Sequence, residues 1–482
     1  MSGLLKRLLY WYGPQFARTV VYMLQASMYR PSRYLAWFWR TRDFSQVAKR
    51  QHLVRTAKTR LLLLTALALL YALLVAGVYA VWQGLEQDFL TLAVFGAAVT
   101  LLAPVATAHL LLLPLVLGQV LIQKPRERKR DRTTAERLTR HPATKIAIAG
   151  SYGKTSFKEN LAALLGAAKA VAAAPGTYNT PAGVSRFVKN LKGDEDVLIF
   201  EFGEHFPGDV QELSRLVNPD IGVIAGINEA HLESFGTLDK TAATVFELAN
   251  YLGDRPVYVN GENALAKQNA GKEHRLYTRE GVGGWRVEEA KTSLQGTTFT
   301  AFKGTNKLEI ETPLLGLHQV GPIMGAIAIA DELGMPPAKI KEGANRIKPV
   351  AHRLQPRPVA SGIVMIDDSY NGNPDGVRAT IEFLKSLKGH RRLYLTPGLV
   401  EMGSRTAQVH TGIGRQLAGS TEIVALVRNS VTPYIKQGLT KAGYKGDVLE
   451  YGDTLTAITQ LNARMVRGDV LVVQNDWPDN YA

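Results

Sequence analysis

Residues 61–82, LLLLTALALLYALLVAGVYAVW, form a run of 22 without a single charge. As an α-helix the run would extend about 33 Å, enough to cross the hydrocarbon core of a bilayer. Buried helices of soluble domains rarely stay uncharged for so long, so the segment reads as a transmembrane helix. A short acidic loop, QGLEQD, separates it from a second apolar run at 89–122, which Pro104 and Pro114 interrupt. That run is expected to be one tilted, kinked helix or a span with an interfacial extension.

Charge is distributed around these runs. Residues 1–60 hold twelve Lys/Arg against one acid, Asp43; residues 123–140 hold eight against three; residues 61–122 hold none. The net charge of +15 therefore sits beside the apolar runs, and the remaining 342 residues are almost neutral. Basic flanks on both outer sides of a hairpin place them in the cytoplasm and the acidic loop outside. The expected location is the cytoplasmic membrane, multi-pass, with membrane lipids as partners and no nucleic acid. The first twenty residues lack the apolar core of a cleaved signal peptide. Within 1–60, Arg alternates with aromatic residues (RYLAWFWRTR), which suits helices in the headgroup region or, alternatively, a poorly ordered basic tail. Cysteine is absent, which excludes disulfides, thiolate metal sites and cysteine nucleophiles.

From Thr144 onward, apolar runs alternate with amphipathic stretches. KIAIAG, DVLIFEFG, DIGVIAGI and PVYVNG read as buried parallel strands, and after His352 a second series follows in IVMIDDSY, RRLYLTPG, EIVALVR and DVLVVQND. Residues 287–315 look richer in β-structure, with turns at QGT and KGT. The expected organisation is α/β: a P-loop-type central domain with a parallel sheet (143–350) and a Rossmann-like C-terminal domain (351–482). Before them come a basic, aromatic-rich juxtamembrane region (1–60), a transmembrane hairpin (61–122) and a basic linker (123–142).

The first strand runs into Gly150-Ser151-Tyr152-Gly153-Lys154-Thr155-Ser156 and then an Ala/Leu-rich helix. The spacing is shorter than in the ordinary P-loop. The context still aims backbone N–H groups and a positive helix end at an anion, with a lysine and hydroxyls suited to phosphate and Mg²⁺. Other polar residues fall where strands end: Glu201, Asn228 and His231, Asn260, and Asp367-Asp368. Open α/β sheets bind ligands at such ends. Singly, each has a plainer explanation as a solvated strand end, a structural histidine or a turn.

In combination, these motifs resemble the Mur ligase family of ATP-dependent amide-forming enzymes of peptidoglycan synthesis. The resemblance rests on GSYGKTS, GTYNTPAGVSRF, EFGEHFPGDVQELSRLVNPDIGVIAGINEAHLESFGTL, HRLQP and DDSYNGNPDGVRATIEFL, and spans roughly residues 143–482. Within the family it is most similar to members that add D-alanyl-D-alanine to a muramyl-peptide carboxylate through an acyl phosphate. The resemblance implies that Gly150 to Ser156 cradle ATP and that Lys154 contacts its β- and γ-phosphates. Thr155 and Glu201 would hold one Mg²⁺, and His231 a second that orients the acceptor. Asn260 would lie near the adenine, while Arg353 and Asp368 close on phosphates and ribose. Lys154, His231 and Arg353 would be catalytic. Asn179 and Thr180 would face the acceptor, with Tyr370, Asn371 and Asn373 as further substrate contacts. Other cell-wall enzymes are candidate partners.

Three departures stand out. The family's lysine fourteen residues after the HLE histidine, carbamylated to support the second metal, is here Val245, and Lys240 is about 140° away round the helix. The family's HN pair near the adenine is His318-Gln319. The usual N-terminal domain that grips UDP is replaced by the basic region and hairpin, so a lipid-linked acceptor is an alternative to a UDP-linked one. A catalytically weak, ATP-binding membrane scaffold is the reading from another class.

Overall fold

The computed structural model describes residues 9–41, 44, 47, 53–176, 178–230, 232–358, 362–370, 372–400 and 402–474. The chain forms two compact units, Met1–Lys129 and Arg130–Ala482.

The first unit is helical. Helices α1 (Pro14–Ala26) and α2 (Pro31–Arg40) precede α3 (Ala57–Glu86) and α4 (Leu90–Leu110). Helix α3 starts at a reciprocal cap, in which Thr56 Oγ1 accepts from Thr59 N at 3.2 Å and Thr59 Oγ1 from Thr56 N at 2.8 Å. It runs four residues ahead of the uncharged stretch and four beyond it, thirty residues in all. α4 passes through Pro104 unbroken and ends at Leu110; the apolar run continues as helical turns to Gln123.

Helices α3 and α4 pack along a seam of small residues. A Cβ on Gly96 would lie 2.6 Å from the Gly77 carbonyl, and one on Gly84 would collide with the backbone of Ala93. Large apolar side chains instead point outward, such as Val75 at 70% and Leu101 at 69% exposed. That arrangement inverts a soluble helix pair, where leucines fill the seam. Helices α1 and α2 do not extend away as a tail. Phe16, Met23, Tyr34 and Phe38 form a cluster with Leu62, Ala66, Ala108 and Leu115, and Tyr34 Oη donates to Ala108 O at 3.0 Å.

A polar helix, α5 (Lys124–Arg140), leads into the sheets. The first sheet takes β1 (Thr144–Ala149), β2 (Val171–Ala173), β3 (Val197–Glu201), β4 (Ile221–Ile224), β5 (Val257–Asn260) and β6 (Arg275–Tyr277). Their order is β2-β3-β1-β4-β5-β6, all parallel. Alternation along β1 sends Ile146 and Ile148 to one apolar cluster and Ala147 and Ala149 to the other, so both faces are covered. Chain order reverses around β1, which puts the loop after it at the crevice where such sheets bind ligands.

An antiparallel sheet follows, formed by β7 (Gly281–Val282), β8 (Trp285–Ser293), β9 (Gly296–Lys303) and β10 (Asn306–Thr312). Two of its three hairpin turns fall at the glycine motifs QGT and KGT read from sequence, and the third, Gly283-Gly284, joins β7 to β8. The third sheet contains β11 (Gln355–Pro358), β12 (Val364–Asp368), β13 (Arg392–Thr396), β14 (Ile423–Val427), β15 (Asp447–Tyr451) and β16 (Val470–Gln474), in the order β11-β12-β16-β13-β14-β15. Only β11 is antiparallel. It carries Pro356 and Pro358, which an edge strand tolerates.

Candidate active site

Helix α6 (Lys154–Leu165) begins immediately after β1 and its glycine turn. Gly153 occupies the N-cap at φ +79°, and Gly150 has φ +146°. A Cβ on Gly150 would be 2.9 Å from both the N and O of Gly226, a contact that only glycine avoids. Ser151 N donates to Gly226 O at 2.7 Å, closing the loop against the end of β4. The Tyr152 ring lies on Gly226, and its hydroxyl accepts from Asn263 Nδ2 at 3.2 Å. The result is a braced turn at the positive end of a helix, a fit for phosphate.

The side chains follow the same logic. Lys154 Nζ donates to the Glu204 carboxylate at 3.0 and 2.8 Å and to the carbonyl of Gly150. Thr155 Oγ1 donates to Glu201 Oε2 at 3.0 Å. Glu201 ends β3 with 4% exposure, and Lys158 Nζ lies 3.6 Å from the same oxygen. A hydroxyl and a carboxylate this close are hard-oxygen donors of the kind that hold Mg²⁺ together with nucleotide phosphates. No group of three His, Cys, Asp or Glu gathers for a metal among the described residues. His231 and Asn371 lie outside the described residues.

Asn260 ends β5 and turns its amide inward, donating to Ala225 O at 2.7 Å. Thr180 caps α7 (Pro181–Lys189), accepting from Gly183 N at 3.3 Å. The carbonyl of Asn179 accepts from Gly203 N at 2.9 Å, tying this loop to the turn after β3.

The C-terminal sheet contributes the opposite wall. Arg353 lies between His352 and Leu354, whose φ values are +61° and +44°. Non-glycine residues rarely adopt that region, at a cost of order 1–3 kcal/mol each. The Arg353 guanidinium stacks 5.3 Å from the Tyr370 ring centroid, and its buried Nε has no partner. Burial pushes this guanidinium down from its ordinary value, opposed by Asp368 and Glu201. Asp368 accepts from Leu354 N at 3.1 Å and Thr380 Oγ1 at 2.9 Å, and burial raises its carboxyl to about 6. Asn373 caps α10 (Pro374–Ser386), where α9 is Val320–Glu332, and also accepts from Asn228 Nδ2 at 2.9 Å.

A cleft of about 190 Å³ joins both walls, lined by Tyr152, Gly153, Asn260, His318, Arg353 and Asp368 among others. His318 is pushed down to about 4, by burial and by Arg279, so its imidazole is neutral at ordinary pH. Three features were not anticipated from sequence. Glu204 holds Lys154, Asn263 braces Tyr152, and Arg279 pairs with Glu382 at 2.7 Å beside the cleft. Glu204 had a visible signal, an acid just past a strand end; Arg279 and Glu382 are 103 residues apart and had none.

Val245 is fully buried on α8 (Leu238–Leu252), in the core cluster that contains Phe200 and Phe202. Lys240, one turn into that helix, is exposed.

Two α/β sheets whose strand ends line one cleft, with a lysine-bearing phosphate loop on one wall and a buried arginine on the other, define a nucleotide-dependent enzyme of the P-loop class. Residues 148–330 match the Mur ligase middle domain and residues 352–474 the Mur ligase glutamate ligase domain. The chain belongs to the Mur ligase family, whose members are ATP-dependent ligases. It is similar to the UDP-N-acetylmuramoyl-tripeptide–D-alanyl-D-alanine ligase of Bacillus subtilis (strain 168), with 27% identity over 68% of this chain and 72% of that protein. The ligase of the same name from Escherichia coli (strain K12) is 26% identical over 69% and 73%. In fold it resembles the MurF ligase of Thermotoga maritima in complex with ADP, with TM-score 0.65 and 22% identity over 73% of this chain and 80% of that one.

Proposed function

We propose that the chain adds D-alanyl-D-alanine, or a similar amine, to the carboxylate of a muramyl peptide at the cytoplasmic membrane. The observation that carries this reading is the similarity to two ligases named for that reaction, extending over both domains that line the cleft. In the proposed chemistry, a carboxylate oxygen of the acceptor attacks the γ-phosphorus of ATP, the bond to the β-phosphate oxygen breaks, and ADP leaves. The amine then attacks the acyl carbon, the bond to phosphate breaks, and the amine gives up a proton.

Lys154 and the first N–H groups of α6 hold the β- and γ-phosphates. The unpartnered Nε of Arg353 faces the charge spread over the transferred phosphoryl. Asn260 and neutral His318 lie toward the base and Asp368 toward the ribose. Asn179 and Thr180 present the acceptor, with Tyr370, Asn371 and Asn373 as further contacts. Thr155 and Glu201 would hold one Mg²⁺ and His231 a second that orients the acceptor, and these ions would supply charge neutralisation of the phosphates.

The hairpin supports membrane anchoring and favours a lipid-linked acceptor. Its apolar exterior and small-residue seam are suited to lipid. Domain limits at 60, 122, 142 and 350 follow from the same reading. The test is ADP release by the detergent-solubilised full-length protein with ATP, Mg²⁺ and D-alanyl-D-alanine. Parallel assays would contain a UDP-linked tripeptide, its lipid-linked counterpart, or no acceptor. Release that needs both amine and acceptor is expected. ATP binding without release under any condition would favour the scaffold reading, for which Val245 is the supporting observation. Equal turnover of the UDP-linked acceptor by a variant lacking residues 1–140 would sink the lipid-linked version.

A further inference from the structure

Helix α6 carries a second lysine one turn beyond Lys154. Lys158 is fully buried, and its Nζ donates to the Ala174 carbonyl at 2.7 Å. The same nitrogen lies 3.3 Å from Glu159 Oε1 and 3.6 Å from Glu201 Oε2. A lysine taken wholly out of water depends on such partners, and a well-packed apolar side chain would often fill the place at no loss of stability. Lys154 already serves the phosphates, so a second cation here calls for its own reason.

The backbone partner supplies that reason. Ala174 directly follows β2 and opens the loop that leads to Asn179 and Thr180. At the far end of this loop, Gly203 N donates to Asn179 O at 2.9 Å, and a Cβ on Gly203 would lie 2.8 Å from that oxygen. Between the two ends, a Cβ on Gly176 would be 4.0 Å from Thr155 Cγ2. The loop is therefore fastened twice to the phosphate site, to α6 through Lys158 and to the turn after Glu201 through Gly203. We propose that Lys158 is a positioning residue for the acceptor. Through the Ala174 carbonyl it fixes the segment that presents Asn179 and Thr180, and through Glu201 it sets that segment against the nucleotide. A displacement of about 1 Å in such a segment can cost about 10²-fold in rate.

The inference rests on the reading of Asn179 and Thr180 as acceptor contacts, and the test separates the two. Lys158→Met keeps the length of the side chain and removes the ammonium. The full-length variant in detergent would be compared with wild type in fluorescent-ADP affinity with Mg²⁺, in acceptor KM, and in amide hydrogen exchange. The acceptor KM should rise about tenfold or more, while ADP affinity and the KM for D-alanyl-D-alanine stay within about threefold. Exchange across residues 171–180 should quicken about tenfold, with residues 144–153 unchanged. A loss of ADP affinity as large as the rise in acceptor KM would assign the lysine to the phosphates and overturn the proposal. So would unchanged exchange at 171–180. Should the variant not fold, wild type decides: saturating ADP with Mg²⁺ should slow exchange across 171–180, and no slowing overturns the proposal. Wild type that releases no ADP with either acceptor removes the ligase reading, whereas unaltered exchange in Lys158→Met removes the inference by itself.

Discussion

Arg353 is held by two backbone conformations that cost energy and by a ring stack that does not satisfy its Nε. A residue kept in that state is poised for an anion that arrives later. Arg353→Ala is expected to lower turnover about 10²–10³-fold in the ADP-release assay, the range for removing one preorganised donor. Asp368 carries a pH signature. Its carboxyl is raised from 3.8 to about 6, chiefly by burial, so the folded protein prefers the protonated form. Its contribution is therefore neutral below the unfolded value, becomes unfavourable as pH rises from about 3.8, and reaches its full penalty above about 6. Asp368→Asn should melt higher than wild type at pH 7.5, with a ceiling of about 3 kcal/mol, and the difference should vanish toward pH 4. Nucleotide affinity should fall in the same variant. Lys154, Thr155, Glu201 and Asp368 were legible because each ends or follows an apolar run within a contiguous motif. Asn263 and Arg279 were not, since their partners, Tyr152 and Glu382, are supplied by distant chain.

Among the elements, the long central strands announced themselves through uninterrupted apolar runs. The strands that escaped notice, β2, β6, β7, β11 and β15, lie at sheet edges, where one side has no strand neighbour and the apolar signal thins. β15, for instance, buries only Tyr451 of its five residues. The seam between α3 and α4 is a different case, because glycine spacing hints at close packing only once two helices are known to meet. Gly96→Leu would force a side chain into the Gly77 backbone. It should destabilise the full-length protein in detergent by about 1–3 kcal/mol, read as a lower melting temperature. Val245 matters at this scale as packing. Its burial beneath the sheet means Val245→Ala should cost about 1–3 kcal/mol by thermal denaturation and leave nucleotide affinity unchanged.

Across the whole molecule, the two catalytic sheets have their own cores. The cluster around β12, β13, β14 and β16 takes only Leu315 and, at its margin, Leu294 from earlier chain. What crosses the cleft is polar: Arg279 to Glu382, Arg405 to Glu229 at 2.8 Å, and Asn228 to Asn373 and Asp375. The two ion pairs are exposed and contribute little, typically below about 1 kcal/mol, while the Asn228–Asn373 bond is buried. Two cores joined this way were legible as two strand series, but the polar ties were not, because no local pattern encodes them. The separation has a calorimetric consequence. Without nucleotide, the central and C-terminal cores should unfold as two heat-absorption peaks. Saturating nucleotide, which under the proposed reading contacts both walls, should draw the peaks together into one. A single peak in its absence would mean that the cleft's few polar ties couple the halves more strongly than their exposure suggests.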